Sequence, residues 1–191
     1  MGQVIRLRSL LVALALPICL QGTPAFAQSA EEDAAAAQRK EAEARYKRAL
    51  ELFNDGSYDA ARLELKRAYE LAPTYRILYN IALVNVELND YVGALDAFER
   101  YLAEGGGEVP KARRQEVEKE IARLSPRIGF LTIVVDEEGA DVMLDDVPLG
   151  KAPLPDRVRV NAGRRKVVVT SGDRRQDRVV EVAGGDALEL K

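Results

Sequence analysis

The hydrophobic positions of the chain follow a helical period in its first part. Ala61, Leu65 and Ala68 are spaced i, i+4 and i+7, which places them on one face of a helix. Pro73 cannot continue this helix, because proline lacks the N–H that the next hydrogen bond needs. The pattern predicts an amphipathic helix over 58–71.

The same pattern returns 33 positions later in the chain. Four residues of the second copy, Tyr91, Ala94, Phe98 and Tyr101, take the places of Tyr58, Ala61, Leu65 and Ala68. A repeat of this length is typical of stacked helical hairpins, in which each hairpin buries its apolar face against the next. The second copy predicts helices over about 76–88 and 91–103.

A further helix is predicted over 110–124. Val117, Ile121 and Leu124 form its apolar stripe, and its other face is charged. A charged outer face is what a helix needs at the end of a stack. Two hairpins are fewer than the three that usually make a stable stack, so this helix is expected to cap them.

After residue 125 the period of the pattern changes from about 3.6 to 2. Short β-branched segments alternate with turn signals, at 131–135, 142–144, 158–160, 167–170, 179–182 and 188–190. Prolines and a glycine between 148 and 155 predict a long irregular connection. Many short strands at this spacing favour a small β-sandwich, so the predicted fold class is multidomain α plus β.

The start of the chain has the pattern of a secretory signal peptide. Arg6 and Arg8 precede an apolar run from Leu10 to Leu20, which is too short to span a bilayer easily. Ala25–Ala27 then gives the small-x-small pattern of a cleavage site before Gln28. The sequence therefore predicts an exported protein of the periplasm or cell envelope, with an uncleaved anchor or a buried helix as the alternative.

Charge and composition argue against several classes of partner and of active site. The formal net charge of −3 becomes −5 when a cleavage after Ala27 removes two arginines and no acid, which argues against a nucleic-acid partner. The chain has no histidine, and its one cysteine, Cys19, lies in the predicted signal peptide. The usual general bases, thiol nucleophiles and zinc ligands are therefore missing, and we expect no enzyme, cofactor or metal site. Lipid attachment at Cys19 is an alternative, although Pro17 and Ile18 are not the small residues that usually precede a lipidated cysteine.

The helical segment 42–106 resembles two tetratricopeptide repeats. Its first copy carries the residues of the family's second helix, namely Gly56, Tyr58, Ala61, Leu65, Ala68 and Pro73. In the second copy Leu78–Ala82 matches the first-helix signature of the family. Arg45 stands at the family's tryptophan position, and Gly105–Gly107 replaces the closing proline of the second copy.

The resemblance implies a concave groove lined by the first helix of each pair. It assigns nine groove residues: Tyr46, Leu50, Phe53 and Asn54 from the first copy, and Tyr79, Asn80, Leu83, Val86 and Glu87 from the second. Apolar and aromatic groove positions can hold an extended peptide or a partner helix. The alternative is that these side chains pack against the N-terminal extension or against the capping helix.

The strand half resembles a PEGA domain, a small β module of bacterial envelope proteins. The resemblance rests on four short segments: Glu138–Ala140, Val142–Asp145, Gly150–Pro153 and Ala162–Gly163. Glu137 stands where the proline of the family's name would be, and Asp146 stands where a glycine usually follows. The family is often joined to other interaction modules, and the resemblance implies no general chemistry.

Together these features predict a non-enzymatic exported adaptor or scaffold that binds envelope proteins through the tetratricopeptide groove. The predicted domains are a signal peptide over 1–27, a polar helical extension or linker over 28–41, a helical domain over 42–125 and a β domain over 126–191. No membrane-spanning segment is expected after cleavage.

The alternative function is binding of a cell-wall or surface polysaccharide by the PEGA-like domain. It would use an anionic-polymer patch of five basic residues: Arg164, Arg165, Lys166, Arg174 and Arg175. Solvated hairpin tips are a second interpretation of the same residues.

Overall fold

The computed structural model describes residues 25–154 and 157–191. Contacts divide the chain into two compact units, the first ending at Ala36 and the second extending from Ala37 to Lys191. Nearly all of the predicted signal peptide, including Cys19, lies outside the described residues. The predicted cleavage after Ala27 falls within the first described helix and stays a prediction.

Helices occupy the first part of the described chain. Their bounds are α1 (Ala25–Asn54), α2 (Tyr58–Leu71), α3 (Tyr75–Glu87), α4 (Tyr91–Gly105) and α5 (Lys111–Leu124). The helices predicted over 58–71, 76–88, 91–103 and 110–124 are confirmed to within two residues. The polar extension predicted over 28–41 is continuous with the first hairpin helix, so both belong to α1.

The predicted apolar stripes form one helical core. Leu65 of α2, Leu78 of α3 and Phe98 of α4 are fully buried, and small residues such as Ala61 and Ala94 let the helices approach. Val117 and Leu124 extend this core into α5. The capping helix therefore completes the burial of the stacked hairpins.

Strands follow the helices. Their bounds are β1 (Ile128–Ile133), β2 (Asp141–Leu144), β3 (Val147–Lys151), β4 (Val158–Asn161), β5 (Gly163–Ser171), β6 (Arg174–Val182) and β7 (Ala187–Leu190). They form a three-stranded sheet in the order β4-β1-β7 and a four-stranded sheet in the order β3-β2-β5-β6. Among the strand pairs of the described residues, β1–β7 is parallel and the others are antiparallel. Helices followed by two sheets confirm the predicted α plus β class.

Strand β3 corrects one prediction from the sequence. Residues 147–151 form a strand, where an irregular connection was expected from Pro148 and Gly150. The strand tolerates Pro148 because β3 is the edge strand of its sheet, where a residue without an N–H is acceptable. The register also shifts between Val142 and Met143, opposite this proline.

The chain crosses from one sheet to the other at Gly163. Asn161 ends β4 and Gly163 begins β5 with a φ of +117°, a conformation that glycine adopts without strain. The two sheets face each other across one shared core. Its buried residues include Leu131, Val142, Val160, Val167 and Val182.

Strand β4 packs against helix α4. Arg159 pairs with Asp96 at 2.6 Å and with Glu99 at 3.0 Å. Asn161 Oδ1 accepts a hydrogen bond from the main-chain N–H of Val92 at 2.9 Å, in the first turn of α4. A β-strand thus satisfies one of the donors that a helix start leaves unpaired.

The junction between helices and sheets is also packed at β1. Ile128 is buried in the helical core, and Arg127 donates to the Tyr91 hydroxyl at 2.7 Å while its guanidinium lies over the Tyr91 ring. Helices and sheets from Ala37 onward therefore form one compact unit. The domain boundary predicted near residue 125 falls inside this unit.

Candidate functional site

The nine predicted groove residues lie on α1 and α3, and one hydrogen bond ties the two helices together there. Asn80 Nδ2 donates to the Tyr46 hydroxyl at 2.9 Å and also lies 3.4 Å from the main-chain oxygen of Arg76. Both contacts use the amide nitrogen. The amide oxygen of Asn80 takes part in neither of these two contacts, and an amide oxygen can accept a hydrogen bond from a partner.

A small cavity lies beside this pair. Its volume is about 20 Å³, and it is lined by Leu50, Phe53, Asn80 and Leu83 together with buried residues Ala49, Leu65 and Val84. That volume holds no more than about one water molecule. Leu50 is 36% exposed above it. We call the surface of Tyr46, Leu50, Phe53, Asn80 and Leu83 the α1–α3 surface; it is shallow and mostly apolar.

Tyr79 lies in a different environment from the rest of the predicted groove. Its ring packs 5.9 Å from the ring of Phe98 and 5.6 Å from that of Tyr101. Arg113 of α5 stacks over it at 4.8 Å and donates to its hydroxyl at 2.9 Å. Tyr79 therefore packs against the capping helix, as one of the two interpretations of the groove residues predicts.

The remaining three predicted groove residues lie near the ends of their helices. Asn54 is the last residue of α1 and Glu87 the last of α3, and both are exposed. Val86 is half-buried and packs against the helical core. These three do not line the cavity beside Asn80.

The structure does not bring the five residues of the predicted anionic-polymer patch together. Arg164 pairs in register with Glu181, whereas Ser171 at the other end of β5 pairs with Arg174. At about 3.3 Å per residue, roughly 23 Å of strand separates Arg164 from Arg174. Arg165 forms an ion pair with Asp145 at 2.7 Å, and Arg174 forms one with Glu137 at 2.6 Å.

A second concave surface, which sequence reasoning missed, lies between the two sheets. We call it the distal groove. Its volume is about 550 Å³, and it is lined by the ends of β1 and β7 and by β5 and β6. The available signal was the pattern of β6, in which the alternate positions Val182 and Val180 are apolar and Arg178, Gln176 and Arg174 are polar.

A polar cluster between α2 and α4 has a structural role. Arg100 lies over the Tyr69 ring at 5.0 Å and donates to Glu104 at 2.8 Å, and Tyr69 also donates to Glu104 at 2.8 Å. Burial acts to raise the pKa of Glu104, but these hydrogen bonds outweigh it, so its pKa lies below the usual range. The cluster holds the two helices together on the outside of the stack.

In 25–154 and 157–191 no group of three or more histidine, cysteine or acidic side chains is arranged to hold a metal ion. Within the same part of the chain, no helix has the length and apolar character needed to cross a membrane.

Comparison with known proteins identifies no counterpart of either surface. No protein-family model matches the chain, and no curated protein matches it at a significant level of similarity.

Proposed function

We propose that this protein is a non-enzymatic adaptor, exported to the bacterial cell envelope, that binds another protein through the α1–α3 surface. Export rests on the apolar run Leu10–Leu20 and the small residues before Gln28. The helical part is proposed to be a pair of tetratricopeptide repeats with a capping helix, and the β part a PEGA-like module.

The observation that carries this proposal is the composition of the α1–α3 surface. Leu50 is 36% exposed, Phe53 and Leu83 are half-buried, and the Tyr46–Asn80 hydrogen bond holds the Asn80 amide beside them. Apolar side chains next to a fixed polar group are what a protein partner needs for affinity and for orientation.

Site-specific photo-crosslinking in cells tests the proposal. A photoreactive residue replaces Leu50 in the full chain, and captured proteins are identified by mass spectrometry. Leu63 on α2 is the matched control, because it is also a leucine, is 49% exposed and does not line the cavity beside Asn80. We expect position 50, and not position 63, to capture one defined envelope protein.

Substitutions then connect the captured protein to the surface. Leu50→Asp should abolish copurification of the captured protein, whereas Leu63→Asp should leave it intact. Circular dichroism of both variants separates loss of binding from loss of folding. Identical captures from positions 50 and 63, or copurification that survives Leu50→Asp in a folded protein, would refute the α1–α3 surface as the binding site.

A further inference from the structure

We propose that the partner of the α1–α3 surface binds through an amphipathic helix whose contact face carries an acidic residue at one end and a basic residue at the other. This proposal rests on the adaptor function above and adds the chemistry of its partner. It concerns four residues of α3, namely Arg76, Asn80, Leu83 and Glu87, which we call the α3 stripe.

The α3 stripe is charged at its two ends. At about 100° per residue its four members lie within roughly 60° of one another, so they share one face of α3. Asn80 and Leu83 are half-buried and belong to the α1–α3 surface, whereas Arg76 and Glu87 are exposed. The surface is therefore bounded by a cation at one end of α3 and by an anion at the other.

Both charges stand at the end of α3 that disfavours them. Arg76 lies in the first turn, and Glu87 is the last residue of the helix. The aligned peptide dipoles make a helix start partly positive and a helix end partly negative, so each charge is repelled by the helix that carries it. The first turn of α3 contains no acidic residue and the last turn no basic residue to offset this. The stability of α3 therefore does not explain either charge.

Contacts within the chain do not explain the two charges either. Among the residues that the structure describes, neither Arg76 nor Glu87 forms an ion pair. The Arg76 guanidinium lies 5.0 Å from the centre of the neighbouring Tyr75 ring, which is a neutral group. A partner could therefore place a carboxylate at Arg76 and a cation at Glu87 without displacing a described ion pair.

A helix fits the spacing of these charges better than an extended strand. Arg76 and Glu87 are eleven positions apart, which corresponds to roughly 16 Å along a helix axis. A partner helix alongside α3 presents its residues i and i+11 at the same spacing and within about 20° of each other. In a strand this distance spans about five residues, and the fifth points to the opposite face. A helix also satisfies its own main-chain groups, which an apolar surface cannot do.

Synthetic helical peptides test the proposal by fluorescence anisotropy against the full chain. The mixed-charge probe is an alanine-based peptide, held helical by a side-chain crosslink, with glutamate, leucine, leucine and lysine at i, i+4, i+7 and i+11. Two further peptides carry two glutamates or two lysines in place of the mixed pair. The mixed-charge probe should bind more tightly than either of them, by up to about fivefold, as expected for an exposed ion pair. Charges that serve only as a solvated surface predict equal binding of all three peptides.

Charge reversal at each end of the α3 stripe should exchange these preferences. Arg76→Glu makes both ends acidic, so the two-lysine peptide should become the tightest binder. Glu87→Lys makes both ends basic, so the two-glutamate peptide should become the tightest. Arg48→Glu is the matched control, because Arg48 is also an exposed arginine and lies on the opposite side of α1 from Leu50. It should leave the order of the three peptides unchanged.

Thermal unfolding of the same variants separates binding from folding. Because the helix dipole disfavours both charges, Arg76→Glu and Glu87→Lys should each raise the unfolding midpoint at low salt while they weaken binding of the mixed-charge probe. A purely structural role for the two charges predicts a lower midpoint in both variants.

The outcomes distinguish this proposal from the adaptor function. Capture of an envelope protein at position 50, together with equal binding of the three peptides, would retain the adaptor and overturn the charged partner helix. Failure of all three peptides to bind, or a change of preference with Arg48→Glu as large as that with Arg76→Glu, also overturns it. Exchange of preference by the two α3 variants supports it, whereas failure of capture at position 50 counts against the adaptor function alone.

Discussion

The helical region and the β region differ in how far apart in sequence their contacting residues lie. In the helices the polar contacts join residues about one repeat apart, as in Asn80–Tyr46 and Arg113–Tyr79. In the β region the first strand pairs with the last, with Phe130 opposite Ala187. A surface built from short-range repeats can be predicted from local sequence, whereas one built from distant strands depends on the topology of the whole region.

The two candidate sites differ in the same way, since one is built from local sequence and the other from strands that are distant in sequence. The α1–α3 surface is a consequence of helical period, since Tyr46, Leu50 and Phe53 are one turn apart on α1. The distal groove lies where β5 and β6 extend beyond the shorter strands of the other sheet. The junction of β4 with α4 joins the two regions, and tests of that junction show whether the regions behave as separate bodies or as one.

The largest expected effect comes from the helical core. Phe98→Ala removes a fully buried ring and should lower the free energy of unfolding by about 3–5 kcal/mol. If the two regions unfold together, residue-resolved hydrogen exchange should show equal loss of protection for the most stable amides of α4 and β5. Loss confined to helical amides would mean that the regions are thermodynamically independent.

The next effect tests how the turn between β6 and β7 packs on the junction. A Cβ at Gly184 would overlap the main-chain carbonyl of Pro126, so Gly184→Ala should cost about 1–3 kcal/mol in thermal or denaturant unfolding. Gly107→Ala is the control, because nothing lies within 4 Å of a Cβ at that position. Equal stability of the two variants would contradict the packing of this turn against Pro126.

A smaller effect is expected at the contact that links a strand to a helix start. Asn161→Ala removes the acceptor for the Val92 N–H and should lower the free energy of unfolding by about 1 kcal/mol, the usual cost of losing a helix cap. Asn54→Ala changes an exposed asparagine at the end of α1 and should stay within about 0.5 kcal/mol of wild type. Denaturant unfolding of both variants makes the comparison. Equal values would show that Asn161 does not stabilise α4.

The helices were predictable because each carries its own apolar stripe. The stripe of Ala61, Leu65 and Ala68 gives the buried face of α2, and Pro73 limits where the helix can end. Strand β3 was missed because proline and glycine favour loops, and only its position at a sheet edge makes Pro148 acceptable. That position depends on where β2 and β5 pair, which the local sequence does not contain.

The sites were less predictable than the elements. The helical position of Tyr79 predicts a groove residue, but its environment is set by α5, from which Arg113 stacks over its ring and donates to its hydroxyl. The five basic residues of the β region are close in sequence, yet the hairpin register places them at opposite ends of two long strands. In both cases a partner distant in sequence determines the environment of a residue.

The smallest effect, a dependence on pH, concerns Asp96 on α4. Burial raises the pKa of Asp96, and the neighbouring Arg159 counteracts this only in part. A pKa that is higher in the folded state than in the unfolded state means that folding binds a proton. The stability that this carboxyl contributes is therefore full below its unfolded pKa of about 3.9, and it is lost as the pH rises through the raised value.

Asp96→Asn removes this titration and serves as the test. Across the range from about pH 3.9 upward, the stability of the wild type relative to Asp96→Asn should fall and then level off. Denaturant unfolding at a series of pH values measures the difference, and Glu99→Gln should reduce it, because the charge of Glu99 also raises the pKa of Asp96. A relative stability that rises with pH would show that the Arg159 ion pair outweighs burial at this junction, and that charge attraction joins the strand to the helix.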